Sequence, residues 1–202
     1  MLLLLACVEP AAETLDPMAG TVTVESGETA EVAALSAFAT TVGSKAAVVV
    51  SPNPDSTCDD AVAYFSGEGD SDFNSETVSA AGYCNLYIRI DEYEEGAVME
   101  DSTDATVSLN CAAGEGEWVY EERNEGYKGW YFSGPFWVGS PTGVTLALSG
   151  EEGGDLTLDI EMSEYSGRFP YDEDNPEADP ATGEVKGAVV AEWCEDLSQG
   201  LF

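Results

Sequence analysis

The chain has no histidine, and only six of its 202 residues are Lys or Arg. The first absence removes Ser-His-Asp and Cys-His catalysis, the commonest general base and the commonest zinc ligand. The second removes nucleic acid as a partner, because binding it relies on cationic side chains that displace counterions. There is no C-x-x-C pair, so redox and zinc-ribbon readings lose their usual signature. No apolar run approaches the roughly 20 residues of a membrane-spanning helix. No internal repeat stands out, which argues against a solenoid or propeller.

What the chain has in excess is acid. Forty Asp and Glu give a formal charge of −34. Such a charge opposes compaction by self-repulsion, and a bare anionic membrane surface would repel it. The partners that suit it are cations, cationic proteins or neutral molecules. Salt relieves the repulsion, since the Debye length falls from about 10 Å at 0.1 M to about 3 Å at 1 M. The composition therefore suits a saline medium. Hydrophobic residues still make up 44% of the chain. That is enough for a folded core despite the charge.

The N-terminus reads Met1-Leu2-Leu3-Leu4-Leu5-Ala6-Cys7. The stretch Leu4-Leu5-Ala6-Cys7 resembles a lipobox, the signal that precedes the lipid-modified cysteine of bacterial lipoproteins. The resemblance implies cleavage after Ala6, acylation of Cys7 and an extracytoplasmic address in the cell envelope, periplasmic or cell-surface. The signal departs from the usual pattern: no basic residue precedes the apolar run, and the run is short. Residues 7–20 are rich in Ala, Pro, Glu and Thr and read as a flexible tether. The expected organisation is a signal remnant over 1–6, the tether, and one β domain over 21–202.

Four cysteines remain: Cys58, Cys84, Cys111 and Cys194. An even number in an exported chain points to two disulfides, with three possible connectivities. The expected pairing is Cys58–Cys84 with Cys111–Cys194.

The domain reads as short strands. Thr21–Glu25 alternates. Ala34–Val42 is ambiguous but favours strand. Lys45–Val50 is a buried-type strand stopped by Pro52 and Pro54. Cys84–Ile90 places Leu86, Ile88 and Ile90 on one face, and Thr106–Cys111 groups Val107, Leu109 and Cys111. Glu117–Glu122 and Gly129–Ser133 bracket a turn at Asn124-Glu125-Gly126, and Val144–Leu148 and Leu156–Met162 bracket Gly150–Gly154; each pair reads as a hairpin. Val185–Cys194 closes the chain, and Cys58–Phe65 fits one or two helical turns. Eight to ten such strands predict an all-β fold, an antiparallel sandwich or barrel; the sandwich is the reading adopted. The stretches VVVSPNPDSTC (Val48–Cys58) and GEVKGAVVAEWC (Gly183–Cys194), with the lipobox, are similar to a broad set of uncharacterised β-rich bacterial lipoproteins. That similarity implies location and fold and carries no activity.

Three clusters hold potential chemistry. Asp70, Asp72, Asn74 and Glu76 put oxygens at alternate positions, as a calcium loop does, but Ser75 and Ala81 stand where an EF-hand needs Gly and Glu. Asp172 and Asp174 open a second acidic stretch among prolines. Either could take Ca²⁺, and either is also what a solvated loop in so acidic a chain looks like. Trp130, Tyr131 and Trp137 form an aromatic stretch that suits stacking on a sugar or a partner, or filling the core. No spacing marks two carboxylates as a hydrolase pair. The functional expectation is a non-catalytic envelope protein with a binding or display role. Its membrane contact is made through the lipid on Cys7, and the partner is a cation, a carbohydrate or an envelope protein. The alternatives are a calcium-stabilised or carbohydrate-binding module and a carboxylate-dependent hydrolase.

If self-repulsion limits stability, the melting temperature rises with NaCl between 0.1 and 1 M, and Ca²⁺ at matched ionic strength adds nothing beyond it. Thermal unfolding in EDTA, NaCl and CaCl₂ measures this; a Ca²⁺-specific rise would point instead to a preformed cation site.

Overall fold

The computed structural model describes residues 16–24, 27–66, 81–100, 105–124, 127–134, 136–168 and 179–198. Two hairpins come first. β1 (Ala19–Thr23) pairs with β2 (Thr29–Ala33), and β3 (Ser36–Val42) pairs with β4 (Lys45–Ser51). After helix α1 (Cys58–Ser66) come β5 (Tyr83–Ile90), the three-residue β6 (Val98–Glu100) and β7 (Ala105–Ala112). β8 (Trp118–Asn124) and β9 (Tyr127–Phe132) form a two-stranded sheet of their own. Three long strands finish the fold: β10 (Phe136–Ser149), β11 (Leu156–Arg168) and β12 (Asp179–Trp193), with a 3-10 turn at Glu195–Leu197.

The all-β expectation holds, and both anticipated hairpins and the short helix at Cys58 are present. The sandwich expectation does not hold. The main sheet closes on itself: β5, β7, β10, β11 and β12 run antiparallel as a continuous wall, and β3–β4 returns from β12 to β5, making a seven-stranded barrel. The β1–β2 hairpin spans the same two strands a second time, from β12 to β5. The closing side of the barrel is thus two hairpins set end to end.

Alternation explains the interior. Leu86, Ile88 and Ile90 of β5, Val107, Leu109 and Cys111 of β7, and Leu156, Leu158, Ile160 and Met162 of β11 all point inward and are buried, with Trp137 fully enclosed. β4 is buried along its length because both faces are covered. Val48 and Val50 face the barrel core, while Ala47 and Val49 join Phe38, Ala61, Cys194 and Leu197 in a second, outer cluster under α1. Continuous apolar runs are what a strand covered on both faces needs. α1 is started by a reciprocal cap: Asp60 Oδ2 accepts from the Thr57 N–H at 2.8 Å, and Thr57 Oγ1 accepts from the Asp60 N–H at 3.3 Å.

Order begins before the expected tether boundary at residue 20. Pro17 bridges Ala188, Met18 is buried, and β1 starts at Ala19. Glycine makes this seam possible. A Cβ on Gly183 would sit 1.9 Å from the Thr21 carbonyl oxygen, and one on Gly187 would sit 2.6 Å from that of Pro17.

The expected cysteine pairing is also corrected. The disulfides are Cys58–Cys194 and Cys84–Cys111. Cys84 lies directly opposite Cys111 in the β5–β7 register. The end of β12 brings Cys194 to the foot of α1, where Cys58 sits. On loop-closure entropy the first bridge, closing a separation of 136 residues, contributes about 5 kcal/mol, and the second, closing 27, about 3.6 kcal/mol. Replacing Cys58 and Cys194 together by Ala should therefore lower the melting temperature more than replacing Cys84 and Cys111. Calorimetry of the two double variants gives the order, and equal losses would sink the loop-closure account of the longer bridge.

Candidate functional site

The barrel interior is filled by side chains. One opening in the wall has a clear cause. β6 and β7 both run antiparallel to the same edge of β10, one beyond the other. Glu100 pairs with Thr145 and Leu109 pairs with Gly139. Between these two pairings β10 runs through residues 140–144 with neither strand in register, and β7 pairs instead with β5 from Ala105 onward. The mismatch leaves a pocket of about 250 Å³. Met99, Val107 and Leu146 line it on the apolar side, and Thr106, Ser140 and Thr142 supply hydroxyls. Pro141, which lacks a ladder N–H, occurs where, among the described residues, no strand pairs with this edge of β10. The volume lies just below the roughly 300–1,000 Å³ of drug-sized ligand pockets. It suits one apolar side chain or a small neutral group.

Next to the pocket β11 carries a bulge. The register slips between Ser163 and Tyr165, Glu164 adopts φ 57°, and Thr142 Oγ1 donates to the Glu164 carbonyl at 3.0 Å. The bulge turns Tyr165 inward, where its ring meets Trp137 edge-on at 6.3 Å and its hydroxyl donates to the Met162 carbonyl at 3.2 Å. Burial, with a smaller push from Glu184, raises the Tyr165 phenol to about 12.

Among the described side chains, the cations sit beside carboxylates. Arg89 Nε and Nη2 both donate to Asp91 Oδ1, at 3.1 and 2.8 Å, with Lys45 Nζ 4.0 Å from the same oxygen. Lys186 Nζ donates to Glu184 at 2.8 Å, and that hydrogen bond, helped by Glu161, lifts its pKa above the ordinary lysine value. These pairs are solvent-exposed and contribute little to stability.

The residues expected to bind scatter. Trp137 is removed from the ligand-binding set, because it is fully buried in the barrel core. Trp130 and Tyr131 lie on β9, opposite Tyr120 and Val119 of β8, and their side chains are outside the described residues. Asp70, Asp72, Asn74 and Glu76 lie outside the described residues, as do Asp172, Asp174 and Cys7. Among the described residues, no group of three or more His, Cys, Asp or Glu is placed to hold a metal. Of the pocket residues, Thr106 carried only a strand pattern, and Ser140 and Thr142 fell between the expected strands, since a register mismatch is visible only once partners are known. Compared with protein-family models, with curated proteins and with solved structures, the chain matches none.

The phenol of Tyr165 gives a test of this wall. Its folded pKa, about 12, lies above the unfolded value of 10.0, so the fold favours the protonated form. That stabilisation is fully present below pH 10 and is lost as pH rises through 12. Tyr165→Phe should flatten the fall in stability over this window, at a cost near neutrality of about 1 kcal/mol for the lost buried hydrogen bond. Denaturant titrations at pH 7, 10 and 11.5 check both effects; an unchanged alkaline slope in the variant would assign the fall to other groups.

Proposed function

We propose that the chain is an exported lipoprotein of a bacterial envelope, held by acyl chains on Cys7, whose barrel is a non-catalytic domain that binds or displays on its outer surface. The observation that carries this reading is the cysteine count. Two disulfides use four of the five cysteines, all but Cys7, which directly follows the apolar run Leu2–Ala6. Disulfides are compatible with an oxidising, extracytoplasmic compartment, and a cysteine after such a run is the substrate that lipoprotein processing needs. Two acyl chains anchor firmly where one does so marginally.

The packing supports the outer-surface reading. Barrels that hold a small ligand keep an open interior. Here Trp137, Tyr165, Met162, Leu86 and Ile88 occupy that space. The acids lie outside: Glu31, Asp159, Glu161, Glu184 and Glu192 all stand on outward-facing strand positions and are exposed. An anionic shell on a lipid-tethered domain keeps it off an anionic membrane and turns it toward cationic or neutral partners.

In a lipoprotein-processing host, the mature protein should begin at Cys7, carry acyl mass and fractionate with membranes, and Cys7→Ser should release it to the soluble fraction. Intact mass and fractionation decide this. An unmodified chain starting at Met1, or a Cys7→Ser variant that stays with the membrane, would end the lipoprotein reading.

A further inference from the structure

β12 is the longest strand, at 15 residues, and its edge toward the closing hairpins is only partly covered. β1 pairs with it from Thr182 to Lys186, Pro17 bridges Ala188, and β3 takes over at Glu192. Main-chain groups on a strand turn to alternate edges at successive residues. Ala188 faces this edge: it donates its N–H to the Asp16 carbonyl at 2.8 Å and accepts from the Met18 N–H at 2.9 Å. Cys194 faces it too, donating to the Ala39 carbonyl at 2.8 Å. Val190 lies in the same two-residue step, so its N–H and C=O turn to this edge as well. Among the described residues no strand pairs with Val190 there.

The open main chain does not stand alone. Val190 is 56% exposed and Leu35 is 54% exposed, and both line one groove of about 590 Å³ together with Ser36, Pro54, Asp155 and Glu192. Leu35 comes from the two-residue link between β2 and β3, fixed by its N–H donating to the Ser51 carbonyl at 3.1 Å. Asp155 is held at the rim, its Oδ1 accepting from the Trp193 N–H at 3.3 Å. Glu192, two residues along β12 on the same face as Val190, is exposed and lines the same groove.

We propose that this groove docks an extended, cationic segment of a partner protein. It would carry an apolar side chain to Leu35 and Val190 and a Lys or Arg to Asp155 and Glu192, and its main chain would hydrogen-bond to Val190. The open strand edge selects an extended chain, because a helix has already satisfied its own backbone. The two carboxylates and the charge of −34 select a cation and repel a second copy of this chain. The paired exposed apolar residues supply specificity that charge alone lacks. The proposal deepens the binding reading and does not depend on the lipid, so loss of acylation and loss of docking are separately observed.

The experiment titrates the full mature chain, disulfides intact, with two amidated peptides of equal charge, Lys-Leu-Lys-Leu-Lys and Lys-Ser-Lys-Ser-Lys, at physiological salt. The leucine peptide should bind about tenfold more tightly, the effect of roughly one well-buried apolar contact. A Leu35→Ser, Val190→Ser double variant keeps the charge and changes only exposed side chains, and it should bind both peptides equally. Asp155→Asn with Glu192→Gln should weaken both. Amide exchange should slow at Val190 only with the leucine peptide. Equal binding of the two peptides to the unaltered chain would overturn the proposal, as would a leucine preference that survives in the double serine variant.

Discussion

The fold depends on closing a barrel through two very short parallel contacts. β3 meets β12 only at Glu192↔Phe38 and Trp193↔Ala39, and β2 meets β5 only at Glu31↔Tyr83 and Val32↔Cys84. Two register pairs are little to hold a seam, and parallel pairing is slightly weaker per residue than antiparallel. Each seam has a disulfide at its end. Cys194 follows Trp193 and is bonded to Cys58, while Cys84 is itself the last paired residue of the second seam and is bonded to Cys111. The bridges therefore stand where the hydrogen-bonded ladder is thinnest. Around them the outer cluster of Phe38, Val49, Ala61 and Leu197 seals the first seam with apolar contact.

Closure settles where the charge goes. Inward positions are taken by aliphatic and aromatic side chains, so the acids of the described strands fall on the outside, where water and salt screen them. The same arrangement packs the barrel interior with side chains and leaves breaks in the wall: the mismatch between β7 and β10, and the gap between the two closing hairpins along β12.

The sequence made the strands legible and their closure illegible. Leu86, Ile88 and Ile90 announce a buried face by alternation, and Val48–Val50 announce a strand covered on both sides; both are observed. The Asn124-Glu125-Gly126 turn and the Gly150–Gly154 turn are local signals, and the hairpins they predict form. Sandwich versus barrel, by contrast, turns on two pairs of residues far apart in the chain, such as Phe38 with Glu192. The cysteine pairing failed for the same reason. Joining Cys58 to its neighbour Cys84 respects the sequence, but β5 and β7 are adjacent strands and the end of β12 returns to α1. By sequence Trp137 groups with Trp130 and Tyr131 as a stretch suited to stacking or to filling the core, a choice that composition does not make; it belongs to β10 and fills the core.

The groove at Val190 follows from the same geometry. Two hairpins set end to end cannot cover a 15-residue strand without a join, and the join falls where the β2–β3 link crosses. An exposed strand edge is ordinarily a route to self-association. Here the edge is one residue wide and opens on a groove lined by Asp155 and Glu192, on a molecule whose every copy carries the same excess of negative charge. Those carboxylates act on two partners with opposite sign. They hold off another copy of the chain and attract a basic one, so the protection of the edge and its selectivity come from one feature.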